Sequence, residues 1–158
     1  MSPIPRHNVN LGGTEIATIL WHLLNPMAVS GDEVRRFEDD FAEAHGVRHA
    51  VAVSSGRSAL YSILTALDLP PSSEIIVPAY TFFTIPQIVR AAGHVPVFAR
   101  CHPFDYAIDP AALEDAFSDR TAAVIVEHPF GQAAPMTRIM EIAAGRGVVV
   151  IEDPSQSI

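Results

Sequence analysis

Four short segments carry residue types that can do chemistry. They are Ser54-Ser55-Gly56-Arg57-Ser58, Pro78-Ala79-Tyr80-Thr81-Phe82, His128-Pro129-Phe130-Gly131-Gln132 and Glu152-Asp153-Pro154-Ser155-Gln156. Each follows a short apolar run, so each reads as the exit of a strand, where open α/β sheets bind their ligands. In the first, small polar residues and Gly56 lead into a helix. Free N–H groups and the helix dipole at such a start hold an anion such as phosphate, and Arg57 can add a charge-assisted bond. The same residues also fit an ordinary capped turn. They are not a Gly-x-Gly-x-x-Gly pattern and lack the lysine of a nucleotide-triphosphate loop. Phe82 can stack on a flat ligand ring, or serve as a core aromatic at a helix start. The acidic pair Glu152-Asp153 directly follows four consecutive β-branched residues. A carboxylate at a buried strand end needs a partner, and a protonated ring nitrogen is one; capping a following helix is the other reading. His128 is either a stacking or hydrogen-bonding group or a histidine that satisfies nearby backbone.

Other chemistries are excluded more simply. Cys101 is the single cysteine, so no internal disulfide forms and a cysteine zinc site is not expected. Cys101 and His102 are chain neighbours whose side chains tend to point apart, and no Gly-x-Ser-x-Gly elbow is present. His22, His45, His49, His94 and His102 have no metal-ligand spacing. No metal ligand and no catalytic residue is assigned within these residues. The net charge is -8, and all ten basic residues are arginine. An acidic chain without a basic stripe does not suit nucleic acid or an anionic membrane. Residues 1–10 lack the apolar stretch of a signal peptide, and no apolar run reaches membrane-spanning length, so the expected compartment is the cytoplasm. Hydrophobic residues make up 49% and charged residues 18%, an apolar balance for so small a chain. It suggests that part of this surface packs against further polypeptide or a second subunit.

The elements that position these segments follow from periodicity. Residues 1–13 read as an extended arm. Thr14 caps a helix with Ile16, Ile19, Leu20, Leu23 and Leu24 on one face, ended by Asn25-Pro26. Ser30 and Glu33 form a capping-box pair before a helix with Val34, Phe37 and Phe41 as its stripe, stopped at Gly46. Residues 49–53 read as a first strand, followed by a helix carrying Leu60, Ile63, Leu64 and Leu67. Strands are then expected at 74–78, 94–99, 122–126 and 148–151. Helices are expected at 82–92, from Asp109-Pro110 onward, and at 135–144. Five strands alternating with helices imply an α/β, doubly wound, mainly parallel sheet behind a helical lead-in. The expected division is an arm and lead-in helices over 1–48 and a ligand-binding domain over 49–158.

Together these segments resemble the pyridoxal-phosphate-dependent sugar aminotransferases of the DegT type, within fold type I. The likeness runs from Val34-Arg35-Arg36-Phe37-Glu38 through Ala50-Val51-Ala52-Val53-Ser54-Ser55-Gly56 and Glu74-Ile75-Ile76-Val77-Pro78-Ala79-Tyr80-Thr81-Phe82. It continues through Gly93-His94-Val95-Pro96-Val97-Phe98 and Phe130-Gly131-Gln132 to Val150-Ile151-Glu152-Asp153-Pro154-Ser155-Gln156. The resemblance implies that Gly56 and Arg57 hold the cofactor phosphate and that Phe82 stacks on the pyridine ring. It implies that Asp153 pairs with the ring nitrogen and that Gln156 lies near the phenolic oxygen. The family usually has threonine where this chain has Arg57. Its members hold the cofactor on a lysine, and this chain contains none.

The resemblance therefore implies the N-terminal part of an aminotransferase acting on a keto sugar, nucleotide-linked, with glutamate as donor and a homodimer as the full-length form. The isolated chain is expected to be inactive. A related dehydratase using the amine form of the cofactor, with histidine in place of the lysine, is one alternative. A complete, non-catalytic α/β binding module is another. A generic nucleotide-binding domain fits less well, because the second strand ends in Pro78-Ala79-Tyr80 rather than in an acidic ribose contact.

Overall fold

A computed structural model of the chain describes residues 12–25 and 31–156. Residues 1–11 of the expected arm, the Pro26 stop and the Ser30 cap lie outside the described residues, and Gly12 and Gly13, the end of that arm, instead cap and open a helix. The chain divides into two compact units, Met1–Ala52 and Val53–Ile158.

The first unit holds α1 (Gly13–Leu24) and α2 (Gly31–His45). Helix α1 starts one residue before the expected Thr14 cap, with Gly12 at the N-cap and no side-chain capping bond. The Thr14 carbonyl instead accepts from the Thr18 hydroxyl at 2.9 Å. The apolar face of α1 stays exposed, up to 81% at Leu24. Helix α2 ends at Gly46, whose φ of +63° is a left-handed geometry that glycine adopts without strain. Residues 49–53 are not the expected strand. They pair with no strand among the described residues, and the Ala52 N–H donates to Glu38 Oε1 at 2.7 Å. A β-branched run becomes a strand only where a neighbour completes its ladder, and here a side chain takes the donor.

The second unit is a layered α/β structure. Its elements are α3 (Gly56–Ala66), β1 (Glu74–Pro78), α4 (Thr84–Ala91), β2 (Val95–Ala99), α5 (Pro110–Ala116), β3 (Thr121–Glu127), α6 (Met136–Ala144) and β4 (Val149–Asp153). The strands form one sheet in the order β2-β1-β3-β4, every pair parallel. The sheet therefore has four strands where five were expected. β1 is buried along its length, and β3 from Ala123 onward, as strands covered on both faces must be.

Alternation along the strands divides the core. Ile75, Val77, Ala123, Ile125 and Ile151 pack with Leu60 and Leu64 of α3 and with Ile85 and Val89 of α4. Ile76, Val124 and Val126 point the other way and pack with Leu113 of α5 and Ile139 and Ile142 of α6. Asp109 caps α5 as expected: its carboxylate accepts from Ala111 N at 2.9 Å, and Pro110 opens the helix. Helix α4 begins at Thr84, so Phe82 stays in the connection from β1. Strands β3 and β4 run further than apolar runs suggest, ending on Glu127 and Asp153.

Glu74, at the start of β1, is buried, and its carboxylate accepts from the Ser118 hydroxyl at 2.5 Å and from the Arg120 guanidinium. The Ser118 hydrogen bond, helped by Arg120 and opposed by burial, holds the Glu74 carboxyl below its ordinary range. The unfolded chain thus takes up this proton at higher pH than the folded one. The stabilisation is complete above the ordinary carboxylate value of about 4.3 and is lost as pH falls through the lower folded value. Glu74→Gln is expected to be less stable near neutral pH and to lose less stability on acidification. Urea unfolding in steps from about pH 7 to about pH 3 checks this; parallel pH profiles for the two proteins would contradict it.

Candidate functional site

The turn into α3 is fixed by serines. Ser55 is the N-cap, and its hydroxyl accepts from Ser58 N at 3.2 Å. The Ser58 hydroxyl lies 2.9 Å from Ser55 Oγ and 3.1 Å from Ser54 Oγ. Gly56 and Arg57 open the helix, where backbone N–H groups have no carbonyl of their own helix to reach. No acidic side chain stands in this first turn, so the positive end of the dipole is not offset locally. A Cβ placed on Gly56 meets nothing within 4 Å, so the space over this turn is open. Among the described residues Arg57 forms none of the ion pairs.

This turn forms one wall of a cleft of about 320 Å³. Ser55, Gly56, Arg57, Phe82, Thr84, Ile85, Glu127, Asp153, Ser155 and Gln156 line it. All five residues singled out from the sequence, Gly56, Arg57, Phe82, Asp153 and Gln156, thus meet at one place. Strand parity explains the meeting. Asp153 lies two residues beyond Ile151, on the sheet face that α3 and α4 cover, at the carboxyl edge beside the start of α3. Asp153 Oδ1 accepts from Ser155 N at 3.0 Å, a local turn rather than a helix cap. Gln156 Oε1 accepts from Phe130 N at 3.3 Å, which ties the segment after β4 to the segment after β3. Phe82 is exposed, its ring centroid 4.7 Å from that of Phe83.

His128 takes the backbone-satisfying role. It is 5% exposed, its Nδ1 accepts from Ala134 N at 3.0 Å, and its Nε2 lies 2.7 Å from Glu152 Oε1. With Nδ1 an acceptor, the proton sits on Nε2 and is donated to Glu152. Cys101 is no nucleophile: burial pushes its thiol up, and its Sγ accepts from Tyr80 N at 3.3 Å.

Sequence reasoning missed Glu127. It is the last residue of β3, 7% exposed, and pairs in register with Asp153 of β4. Its Oε2 is buried with no hydrogen-bond partner, and it lines the cleft. Burial raises its carboxyl above the ordinary value. The Asp153 charge adds to that rise, while the Thr81 hydroxyl and the Phe82 amide oppose it. The signal was present in a strand that runs one residue past its last apolar side chain.

A second, smaller hollow of about 230 Å³ adjoins the first and shares Phe82, Glu127 and Gln156 with it. Tyr80, one of its lining residues, belongs to a trio of rings with Tyr106 and Phe130, at centroid distances of 4.9, 6.1 and 5.8 Å. Tyr106 and Phe130 both hold positive φ, +60° and +55°, a cost that non-glycine residues bear mainly near functional sites. Among the described residues no group of three or more His, Cys, Asp or Glu side chains is placed to hold a metal ion. No helix among them is long and apolar enough to cross a membrane.

Comparison with known proteins gives this site a setting. GDP-perosamine synthase of Caulobacter vibrioides is 33% identical over 162 residues, covering 100% of this chain and 44% of its own length. UDP-N-acetyl-3-dehydro-alpha-D-glucosamine 3-aminotransferase of Acidithiobacillus ferrooxidans is 37% identical over 91% of this chain and 39% of its own length. The crystal structure of a GDP-4-keto-6-deoxymannose-3-dehydratase with a trapped PLP-glutamate geminal diamine superposes with a TM-score of 0.89 at 28% identity. It covers 99% of this chain and 42% of that one. The chain thus spans less than half the length of each of these relatives. Residues 10–158 match the family described as DegT/DnrJ/EryC1/StrS aminotransferases, and the chain belongs to that family.

Proposed function

We propose that the chain forms the N-terminal part of a pyridoxal-phosphate-dependent aminotransferase. In this reading the enzyme passes an amino group from glutamate to a nucleotide-linked keto sugar and works as a homodimer. One observation carries it: Gly56, Arg57, Phe82, Asp153 and Gln156 line a single cleft. The residues present fit the cofactor. The space over Gly56 is open, Glu127 lines the cleft and has a buried carboxyl oxygen without a partner, and the charges are divided between the cleft walls. A helix start and Arg57 stand on one side and carboxyl groups on the other, which suits a molecule with a phosphate and a protonated ring.

In this arrangement the amides of the first α3 turn, with Arg57, bind the phosphate. Phe82 lies against the ring face and excludes water from it. Asp153 holds the proton on the ring nitrogen through Oδ2, its Oδ1 being engaged by Ser155 N. The Gln156 carbonyl is engaged by Phe130 N, which leaves its amide N–H as the group that would donate to the phenolic oxygen. When bound, pyridoxal phosphate supplies the electron sink that lets an amino group pass between donor and acceptor. The chain has no lysine, so the covalent anchor comes from polypeptide outside these residues.

The decisive experiment is expression of the intact gene product with an assay for glutamate-dependent amination of nucleotide-linked keto sugars. A reading frame that continues past Ile158 into a lysine-bearing segment, with amination, is the expected result. Histidine at that position with water loss from the sugar makes the enzyme a dehydratase, the activity of the superposed structure. A stop after Ile158 with a folded product makes the chain a non-catalytic module. The 158-residue chain alone is expected to transfer no amino group and to retain no cofactor on its side chains after borohydride; turnover by it would overturn this reading. Gly56→Ala is expected to fold normally, since its methyl group meets open space. It is also expected to weaken phosphate binding by about tenfold through loss of close backbone approach, read by phosphorus NMR titration.

A further inference from the structure

Glu127 is the one buried titratable group of the cleft that the reading above leaves without a task. It ends β3 directly opposite Asp153 in the parallel register, so both side chains leave the same sheet face at the same edge. Asp153 is half-buried and partly satisfied by Ser155 N, whereas Glu127 is nine-tenths buried with Oε2 unpartnered. A buried carboxyl with an unmade hydrogen bond is costly, and the cost rises with a second carboxyl beside it. The Thr81 hydroxyl and the Phe82 amide return part of that cost and leave the repulsion from Asp153 unanswered. The groups that reach Glu127 are the Thr81 hydroxyl and Phe82 amide from the β1–α4 connection, the Asp153 charge from β4, and Cys101 after β2, whose thiol feels the Glu127 charge. Arg57 and Gln156 share the cleft walls with it. Glu127 also lies between the two adjoining hollows, so an occupant of either passes it.

We infer that the Glu127 carboxyl lies beside the cationic end of the bound ligand, so that two carboxyl groups rather than Asp153 alone balance the charge of the positive ring. This rests on the cofactor reading given above. The inference follows from charge balance. The Asp153 charge raises the proton affinity of Glu127 when the cleft is empty, and a cation placed beside the two carboxyl groups relieves that repulsion. The cleft then discriminates at two points: the α3 end takes any phosphate, and the strand ends take only a protonated ring.

The test uses pyridoxamine 5′-phosphate, which has no aldehyde to react with amines, and inorganic phosphate as the probe without a ring. Proton and phosphorus NMR of these ligands reads weak binding to the 158-residue chain. Glu127→Gln keeps the shape and removes the charge. It is expected to lower affinity for pyridoxamine 5′-phosphate by about tenfold, the order of the attraction between opposite charges a few ångströms apart near a protein surface, and to leave inorganic phosphate unchanged. The ring nitrogen of the bound probe is expected to lose its proton at lower pH in that variant. In the unmutated chain labelled with carbon-13 glutamate, the Glu127 carboxyl resonance is expected to shift on adding pyridoxamine 5′-phosphate and not on adding phosphate, a readout that needs no variant. If Asp153→Asn loses the probe while Glu127→Gln keeps both affinity and ring protonation, the inference is wrong and the cofactor reading stands. If the unmutated chain does not bind pyridoxamine 5′-phosphate, or Asp153→Asn binds it unchanged, both fall.

Discussion

The parallel register of β3 and β4 is the constraint on which the rest of the site depends. Side chains alternate faces along a strand, so the pairing of Ile125 with Ile151 puts Glu127 and Asp153 together two residues later. A slip of one residue would send one carboxyl to the α5–α6 face and leave the other alone. The apolar residues upstream prevent that slip. Ala123, Ile125 and Ile151 belong to the α3–α4 core, and Val124 and Val126 to the opposite one, so both faces specify the same alignment. The carboxyl pair is therefore aligned by packing some distance below it, with Ser155 N on Asp153 and the Thr81 hydroxyl and Phe82 amide on Glu127 as local contacts.

The other wall depends on the first turn of α3. Ser55 takes one of the amides a helix start leaves over, and the Ser58 hydroxyl, itself partnered by Ser54, braces the Ser55 hydroxyl. The amides of Gly56 and Arg57 remain for a ligand, and Leu60 and Leu64 anchor the helix on the same sheet face that carries Asp153. The start of α3 and the end of β4 thus share one support, and their relative displacement would require repacking of the buried apolar core between α3, α4 and the sheet.

Much of this was legible in the sequence, for identifiable reasons. Strand interiors in a sheet covered on both faces are unbroken apolar runs, so β1, β3 and β4 announce themselves, and Asp109-Pro110 marks the start of α5. Gly56, Arg57, Phe82, Asp153 and Gln156 stand just beyond such runs, where ligand groups belong. The failures share a cause. A strand edge is set by hydrogen bonding to a neighbour, and composition does not report neighbours. Residues 49–53 have the composition of a strand but find no ladder among the described residues, with Ala52 N bound to Glu38. β3 extends through a charged residue because β4 is there to pair with it, so Glu127 was passed over. Tyr106 joins Tyr80 and Phe130 through a loop whose positive φ no pattern of apolar residues encodes. His128 was ambiguous in sequence because its role is decided by Ala134 N and Glu152, neither of which its chain neighbours predict.

A chain of net charge -8 is at first sight a poor host for a phosphate. Net charge, however, acts over distances that salt cuts to about 8 Å at physiological ionic strength, whereas a phosphate at a helix start meets amide hydrogens in direct contact. What matters is the charge within that radius. The first turn of α3 has no acidic residue and includes Arg57, the side chain that differs from the family's usual threonine. A guanidinium offers forked donors and a full charge where a hydroxyl offers one neutral bond. Arg57 at the α3 end and the carboxyl groups of Glu127 and Asp153 at the strand ends thus stand on opposite walls of one cleft, and on the proposed reading that division favours a ligand that carries both signs.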